Sequence, residues 1–360
     1  MQWSYPILRI GSTEIRIHLT FVLLLAWIAI AYFQAGGTSA AVEGVGFVAA
    51  VFACVVLHEL GHAAAARRYG IRTPKITLLP IGGVAQLERL PEKPSEEIVV
   101  AVAGPLVNVV IAAFLVVVLG TTVGIEALTS MEDPRVAFVA RLTTVNVWLV
   151  LFNLIPAFPM DGGRVLRALL AMRYSRVRAT EIAGTIGQFA AFAFGFIGLV
   201  SGNVLLIFVA IFVYLAATAE TQAVGLQDAA RAIAIRDVMI SRFESLPATA
   251  SLNEAAQVLL RTTQHEFPIV DGAGRLRGVL TREGLVAGLQ QRGSQAPVVE
   301  AMAANIPVIR DNEKLSTALA HLQKREAPAV GVLDARDNLI GYVTVENIGE
   351  LMMLRSAVAR

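Results

Sequence analysis

Two histidines lie four positions apart in the run His58-Glu59-Leu60-Gly61-His62, with a carboxylate beside the first. On an α-helix this spacing stacks both imidazoles on one face, where they can grip a single tetrahedral zinc ion. A glutamate next to the first ligand is the group that takes a proton from zinc-bound water in metal-assisted hydrolysis. A run this short also arises by chance on solvated helices, so its surroundings decide. From Phe47 through Leu57 the preceding residues are apolar. Burying two histidines and a glutamate there without a metal or partners would cost free energy. Ionisable groups within a spanning helix are functional candidates by default. The expectation is a metal-dependent hydrolase built into a membrane.

A catalytic zinc combines three protein ligands with an open water position, so a third ligand is wanted. Asp161 is the candidate, in the segment Asn153-Leu154-Ile155-Pro156-Ala157-Phe158-Pro159-Met160-Asp161-Gly162-Gly163. The two prolines end the preceding helical run and could turn the carboxylate inward. Equally, Asp161 ahead of Gly162-Gly163-Arg164 would cap a following helix. Spacing alone leaves both readings open. Cys54, the single cysteine, lies one turn before His58 on the same face and is read as a packing residue rather than a fourth ligand. A lone cysteine also excludes an intrachain disulfide framework.

Composition indicates which elements position these residues. The chain of 360 residues is 56% hydrophobic and 16% charged, with a mean hydropathy of +0.64. Soluble domains carry about 25% charged residues. The deficit lies before Ala219, and from Arg231 onward the mixture is that of a soluble domain. A membrane domain at 1–225 and a soluble domain at 236–350 are therefore expected.

About 20 apolar residues cross a bilayer as a helix. Six stretches are read as spans: His18–Phe33, Val45–Ala66, Ile98–Leu119, Val136–Ile155, Ile182–Val200 and Val204–Ala219. The first is read as a retained helix rather than a cleaved leader, because Trp3–Ile15 is strand-like and carries Glu14. Arg9 and Arg16 precede the first span, Arg67 through Lys93 follow the second, and Arg164 through Arg178 follow the fourth. The intervening connections, including the acidic Gly120–Arg135, lack such clusters. The positive-inside rule then places both termini on the cytoplasmic side of a plasma membrane. His62 and Asp161 reach the membrane boundary on that same side. A net charge of +2 without a basic block gives no sign of a nucleic-acid partner.

In combination these residues resemble the site-2 protease family of intramembrane zinc metalloproteases. That family pairs H-E-x-x-H on one helix with N-x-x-P-x-x-x-x-D-G on a later one, and Asn153 through Gly162 carries the second motif. The resemblance implies one zinc per chain, held by His58, His62 and Asp161, with Glu59 as base and Asn153 holding the scissile carbonyl or its oxyanion. Pro80-Ile81-Gly82-Gly83, within the alternating stretch Ile76–Leu87, resembles the family's strand loop. An exposed strand there could pair with an unwound substrate, the plain alternative being a hairpin. Gly104-Pro105-Leu106-Val107-Asn108 resembles a third-helix motif, with Asn108 hydrogen-bonding near the site and Gly104 read as a small packing residue. The implied substrates are membrane-anchored regulatory proteins, such as an anti-sigma factor or a membrane-tethered pro-transcription factor.

The soluble part is a repeat with an offset of about 63 residues, 236–290 against 299–350. Met239 aligns with Met302, Gly278 with Gly341, Asp271 with Asp334 and Thr281 with Thr344. Each half reads as β-α-β-β-α and resembles a CBS domain, a module that commonly binds adenine nucleotides and regulates an attached protein. The resemblance implies nucleotide contacts at Thr281, Thr344 and Asn347. Gly284 and Asn347 stand where nucleotide binders often carry an acidic residue for the ribose. A dimerisation or docking module that binds no small molecule is the alternative. The fold class expected is an α-helical polytopic membrane protein with a C-terminal α/β tandem CBS domain. A CBS-gated metal-binding transporter or channel is the competing function. It would need polar residues in several spans, and the first, fifth and sixth have few. Two histidines and a carboxylate could also hold iron or manganese, but Glu59 beside a ligand favours hydrolysis.

Overall fold

The computed structural model describes residues 3–91, 93–119, 138–262, 264–323 and 327–358. It divides into two compact units, Met1–Gln222 and Ala223–Arg360.

In the first unit, β1 (Ser4–Ile10) and β2 (Thr13–His18) form an antiparallel hairpin. Helix α1 (Leu19–Arg68) carries the chain from β2 to β3 (Lys75–Leu79), which pairs parallel to β2. A second hairpin joins β3 to β4 (Gly82–Gln86), giving the strand order β1-β2-β3-β4 with β4 at an edge. Leu78 and Ile76 turn inward on β3, whereas Ile81 and Val84 at the β3–β4 hairpin are exposed.

A loop was expected between the first two spans, at Gln34–Gly44. The structure instead breaks α1 at only two residues, Gly36 and Gly37. Gly37 has φ 73°, a conformation that glycine adopts without steric cost. The rings of Phe21 and Phe52 lie 4.3 Å apart, and a Cβ on Gly44 would sit 2.8 Å from Tyr32. In a straight helix Phe21 and Phe52 would be about 46 Å apart. The two limbs of α1 therefore fold back on each other, and a glycine pair does the work of a loop.

Helix α2 (Pro94–Leu119) packs against α1, α3 (Phe138–Asn153) and α4 (Asp161–Ala171). Helices α5 (Arg176–Ser201) and α6 (Val204–Ala232) complete the unit, α6 continuing past its end. Four described helices, α1, α2, α5 and α6, are long and apolar enough to cross a membrane, and α3 is a shorter apolar helix. The start of the expected span Val136–Ile155 and the acidic connection Gly120–Arg135 lie outside the described residues. Trp27, Phe189, Phe196 and Phe208 face outward, as lipid-facing side chains would. The interior holds a charged cluster instead: Arg167 on α4 is fully buried and donates to Glu97 on α2 (2.7 Å) and Glu220 on α6 (2.5 Å). Its guanidinium lies over the Phe158 ring. Such pairing is what allows a charge to be buried at all.

In the second unit each repeat supplies a helix, a hairpin and a second helix, as expected. The first has α7 (Leu252–Arg261), β6 (Glu266–Val270), β7 (Leu276–Thr281) and α8 (Arg282–Arg292), preceded by the short β5 (Leu246–Pro247). The second has the short β8 (Ala303–Ala304), β9 (Val308–Arg310), α9 (Leu315–Gln323), β10 (Ala329–Leu333), β11 (Leu339–Thr344) and α10 (Val345–Val358). Ser251 and Glu254 close a capping box at the start of α7.

The repeats are not self-contained. Strand β8 pairs with β7 of the first repeat, and Ile240 bridges to Tyr342 of the second. A Cβ on Gly278 would meet Met302 Sδ, and one on Gly341 would meet Met239 Sδ. Each repeat thus places its methionine on the other's glycine, the reciprocity expected of a pseudo-two-fold pair.

Candidate active site

His58 and His62 lie on the second limb of α1 and Asp161 is the first residue of α4. The three are buried and converge. His58 Nε2 and His62 Nε2 are 3.1 Å apart, and Asp161 Oδ2 lies 3.2 Å from each. Ligands about 2.05 Å from a tetrahedral zinc would be about 3.3 Å from one another. The triangle therefore has the dimensions of one face of such a site.

Protonation sharpens the point. His62 Nδ1 lies 2.7 Å from the Val100 carbonyl, which can only accept. His58 Nδ1 lies 2.5 Å from Asn108 Oδ1, also an acceptor. A neutral imidazole that satisfies either contact carries its ring proton on Nδ1, which leaves Nε2 as a bare lone pair. Asp161 Oδ2 has no hydrogen-bond donor. In that state three unprotonated donor atoms packed within van der Waals distance repel one another unless a cation lies among them. His58, His62 and Asp161 are the group among the described residues whose ligand atoms converge in this way, and their chemistry fits zinc.

Helix packing brings α2 against this face. A Cβ on Gly104 would overlap His62 Nε2 and lie 2.7 Å from His58 Nε2. A Cβ on Gly61, inside the histidine motif, would strike Val107 and the Ala103 carbonyl of α2. Asp161 arrives through a compact turn. Met160, not Asp161, is the N-cap residue of α4, and it makes no side-chain cap bond. The N-cap reading of Asp161 is therefore set aside in this structure, and its carboxylate faces the histidines. A Cβ on Gly162 would collide with the carbonyls of Leu154 and Ile155, and one on Gly163 with Ala157 and Phe158.

The other sequence candidates fall in several places. Asn108 is fully buried and touches His58. A Cβ on Gly83 of β4 would lie 2.8 Å from Glu59 Cγ, so the edge strand passes directly beside the base candidate. Gly82, with φ 135°, and the exposed Pro80 form the hairpin turn. Asn153 closes α3, and its amide donates to Leu149 O one turn back. Cys54 is buried outside the converging triad and receives a weak bond from Asn146. Sequence reasoning treated Gly104 as packing only and overlooked Val100 and Asn146. Gly104 lies four positions from Asn108, on one helix face with it, a signal that could have placed it at the site. A backbone carbonyl leaves no mark in sequence.

In the second unit Thr281 and Thr344 serve as helix caps, their hydroxyls accepting from Gly284 N and Asn347 N. Thr344 and Asn347 line a cleft of about 770 Å³ that does not include Thr281. Asn347 Oδ1 is buried there without a hydrogen-bond partner. The cleft carries Glu244, Glu266, Glu346 and Glu350 against Arg242 and His265. Burial raises Glu266 above the usual carboxylate range, and Glu346 and Glu283 add to the rise. Burial raises the Tyr342 phenol likewise.

Comparison with known proteins agrees with this geometry. A family model described as Peptidase family M50 matches residues 46–198, and one described as CBS domain matches 235–290. Zinc metalloprotease MJ0392 of Methanocaldococcus jannaschii is 34% identical over 280 residues, 78% of this chain and 78% of its own. Putative zinc metalloprotease Rip3 of Mycobacterium tuberculosis is 27% identical over 376 residues, 98% of this chain and 93% of its own. A solved structure, a Site-2 Protease from Methanocaldococcus jannaschii, is 38% identical, covers 61% of this chain and 95% of that one, and has a TM-score of 0.47. With the converging histidine and aspartate donors inside an apolar helical unit, the 34% identical relative, matched over 78% of both chains, shows that the chain belongs to peptidase family M50, the site-2 protease family, and is an intramembrane zinc metalloprotease with a C-terminal CBS pair.

Proposed function

We propose that His58, His62 and Asp161 hold the zinc and that Glu59 is the general base. The observation that carries this is the triangle of bare donor atoms. Bound zinc supplies Lewis acidity, bringing the pKa of water to about 7 and polarising a carbonyl. Glu59 takes the proton that water loses as its oxygen attacks the carbonyl carbon. It returns that proton to the amide nitrogen as the C–N bond breaks. Asn153 has a second amide proton beyond the one given to Leu149 O, and in this reading it holds the scissile carbonyl or its oxyanion. Asn108 orients His58.

The family acts on membrane-anchored substrates, whose helical carbonyls are tied up in backbone bonds and must be freed before attack. In this reading the edge strand β4, entered through Pro80, receives the unwound segment along Gly82-Gly83 by strand addition. Its place beside Glu59 supports that role. The finer reading takes the substrate as an anti-sigma factor or membrane-tethered pro-transcription factor. It takes 1–225 as the protease domain, crossing the plasma membrane six times with both termini cytoplasmic, and 236–350 as a regulatory pair. An adenine nucleotide would occupy the cleft at Thr344 and Asn347, and the pair could also join two copies of the chain.

The test is cleavage of a tagged membrane-tethered transcription factor by wild type and by Glu59→Gln, with zinc content measured on both. Cleavage by wild type alone, at equal zinc content, supports the mechanism. Equal cleavage by both removes Glu59 as the base.

A further inference from the structure

We infer that Asn146 is a positioning residue for the metal site, acting through Asn108 to keep the His58 lone pair on the metal side. This rests on the reading of His58 as a zinc ligand. An asparagine amide can face either way, and the two ways differ in what they offer His58. With Oδ1 toward the ring, Asn108 accepts the Nδ1 proton and leaves Nε2 bare for a metal. Flipped, it would donate to Nδ1 and drive the proton onto Nε2, where it would block coordination. Something must therefore choose the orientation.

The structure supplies an unbroken chain of choices. The Leu142 carbonyl cannot donate, so Asn146 turns its NH2 toward it, at 2.9 Å. Asn146 Oδ1 then faces α2 and accepts from Asn108 Nδ2 at 2.8 Å. Asn108 Oδ1 is left for His58 Nδ1, at 2.5 Å. The second Asn146 proton points at Cys54 Sγ, 3.4 Å away and a weak acceptor. Asn108 and Asn146 are both fully buried, so water does not compete for these bonds. A backbone carbonyl of α3 thus sets a histidine tautomer on α1, with α2 between. His62 needs no relay, because it meets the Val100 carbonyl directly.

The test is zinc affinity, measured on the full chain by chelator competition, together with cobalt(II) absorption at the site. Asn146→Leu removes the acceptor that orients Asn108, and affinity should fall about 10- to 100-fold. Adding Asn108→Asp should restore it, because a carboxylate accepts from His58 whichever way it faces. His58→Ala should abolish the tetrahedral cobalt spectrum. Loss in Asn146→Leu without rescue by Asn108→Asp would make Asn146 a packing residue and overturn the relay. Undiminished affinity in Asn146→Leu, with His58→Ala inactive in binding, would overturn it as well. Retained affinity in His58→Ala would instead remove the ligand assignment on which the relay depends.

Discussion

Gly104→Ala adds one methyl group at the most crowded place in the site. An ideal Cβ there would overlap His62 Nε2 and lie 2.7 Å from His58 Nε2, whereas ordinary contact begins at 3.4 Å. Both imidazoles, or the α2 backbone, must retreat by at least about 0.7 Å, more than the ±0.2 Å that metal–ligand distances tolerate. The rings cannot simply rotate away, because Val100 and Asn108 hold their far nitrogens. Substitutions one layer out typically cost 10- to 100-fold in metal affinity, so displacing the ligands themselves should cost at least about 100-fold. The assay is zinc stoichiometry and chelator competition on purified protein, with peptide-bond cleavage as a second readout. Gly46→Ala, on α1 with nothing near its Cβ, should leave zinc binding unchanged. A Gly104→Ala protein that binds one zinc with wild-type affinity would refute the reasoning.

Other outcomes follow from the same structure. Arg167→Met leaves the buried Glu97 with only the more distant Arg176, at 3.6 Å, and should destabilise the first unit by up to about 3–5 kcal/mol, read as a lower midpoint in thermal unfolding. An adenine nucleotide in the CBS cleft would face four glutamates against Arg242 and His265, so affinity should fall from AMP to ADP to ATP by roughly threefold per step in calorimetry. Backbone N–H groups hold Asp271 and Asp334 below the ordinary carboxylate value near 3.9. The stability they contribute is present above that value and is lost as pH falls through their folded values. Asp271→Asn should therefore differ from wild type more at pH 7 than at pH 3 in denaturant unfolding.

Local periodicity made much of this protein legible before any coordinates. His58 and His62 share a face because helical pitch requires it, and the apolar residues around them set the membrane context. The repeat was visible in Met239/Met302 and Gly278/Gly341 because each pair occupies equivalent steps in the two halves. The same pairs also contained the interlock, since each methionine rests on the other repeat's glycine. That contact joins residues far apart in the chain, and spacing does not report it. The α1 break followed the same pattern: Gly36-Gly37 was in view, but whether two residues suffice to reverse a helix depends on what the limbs pack against.

By itself, then, the sequence determined the types of the candidate donors, the helix that carries two of them, the apolar setting and the tandem module, because each is encoded within a few turns of chain. Only the tertiary structure gave the N-cap to Met160 and brought the Asp161 carboxylate to the two histidines, since that depends on where α4 begins relative to α1. It also decided that Gly104 must lack a side chain, that Gly83 passes beside Glu59, and that Val100 and Asn108 meet the two imidazole Nδ1 atoms with Asn146 behind Asn108. These are contacts between distant segments at atomic distance, where a backbone carbonyl or an absent methyl group carries the effect and no residue pattern announces it.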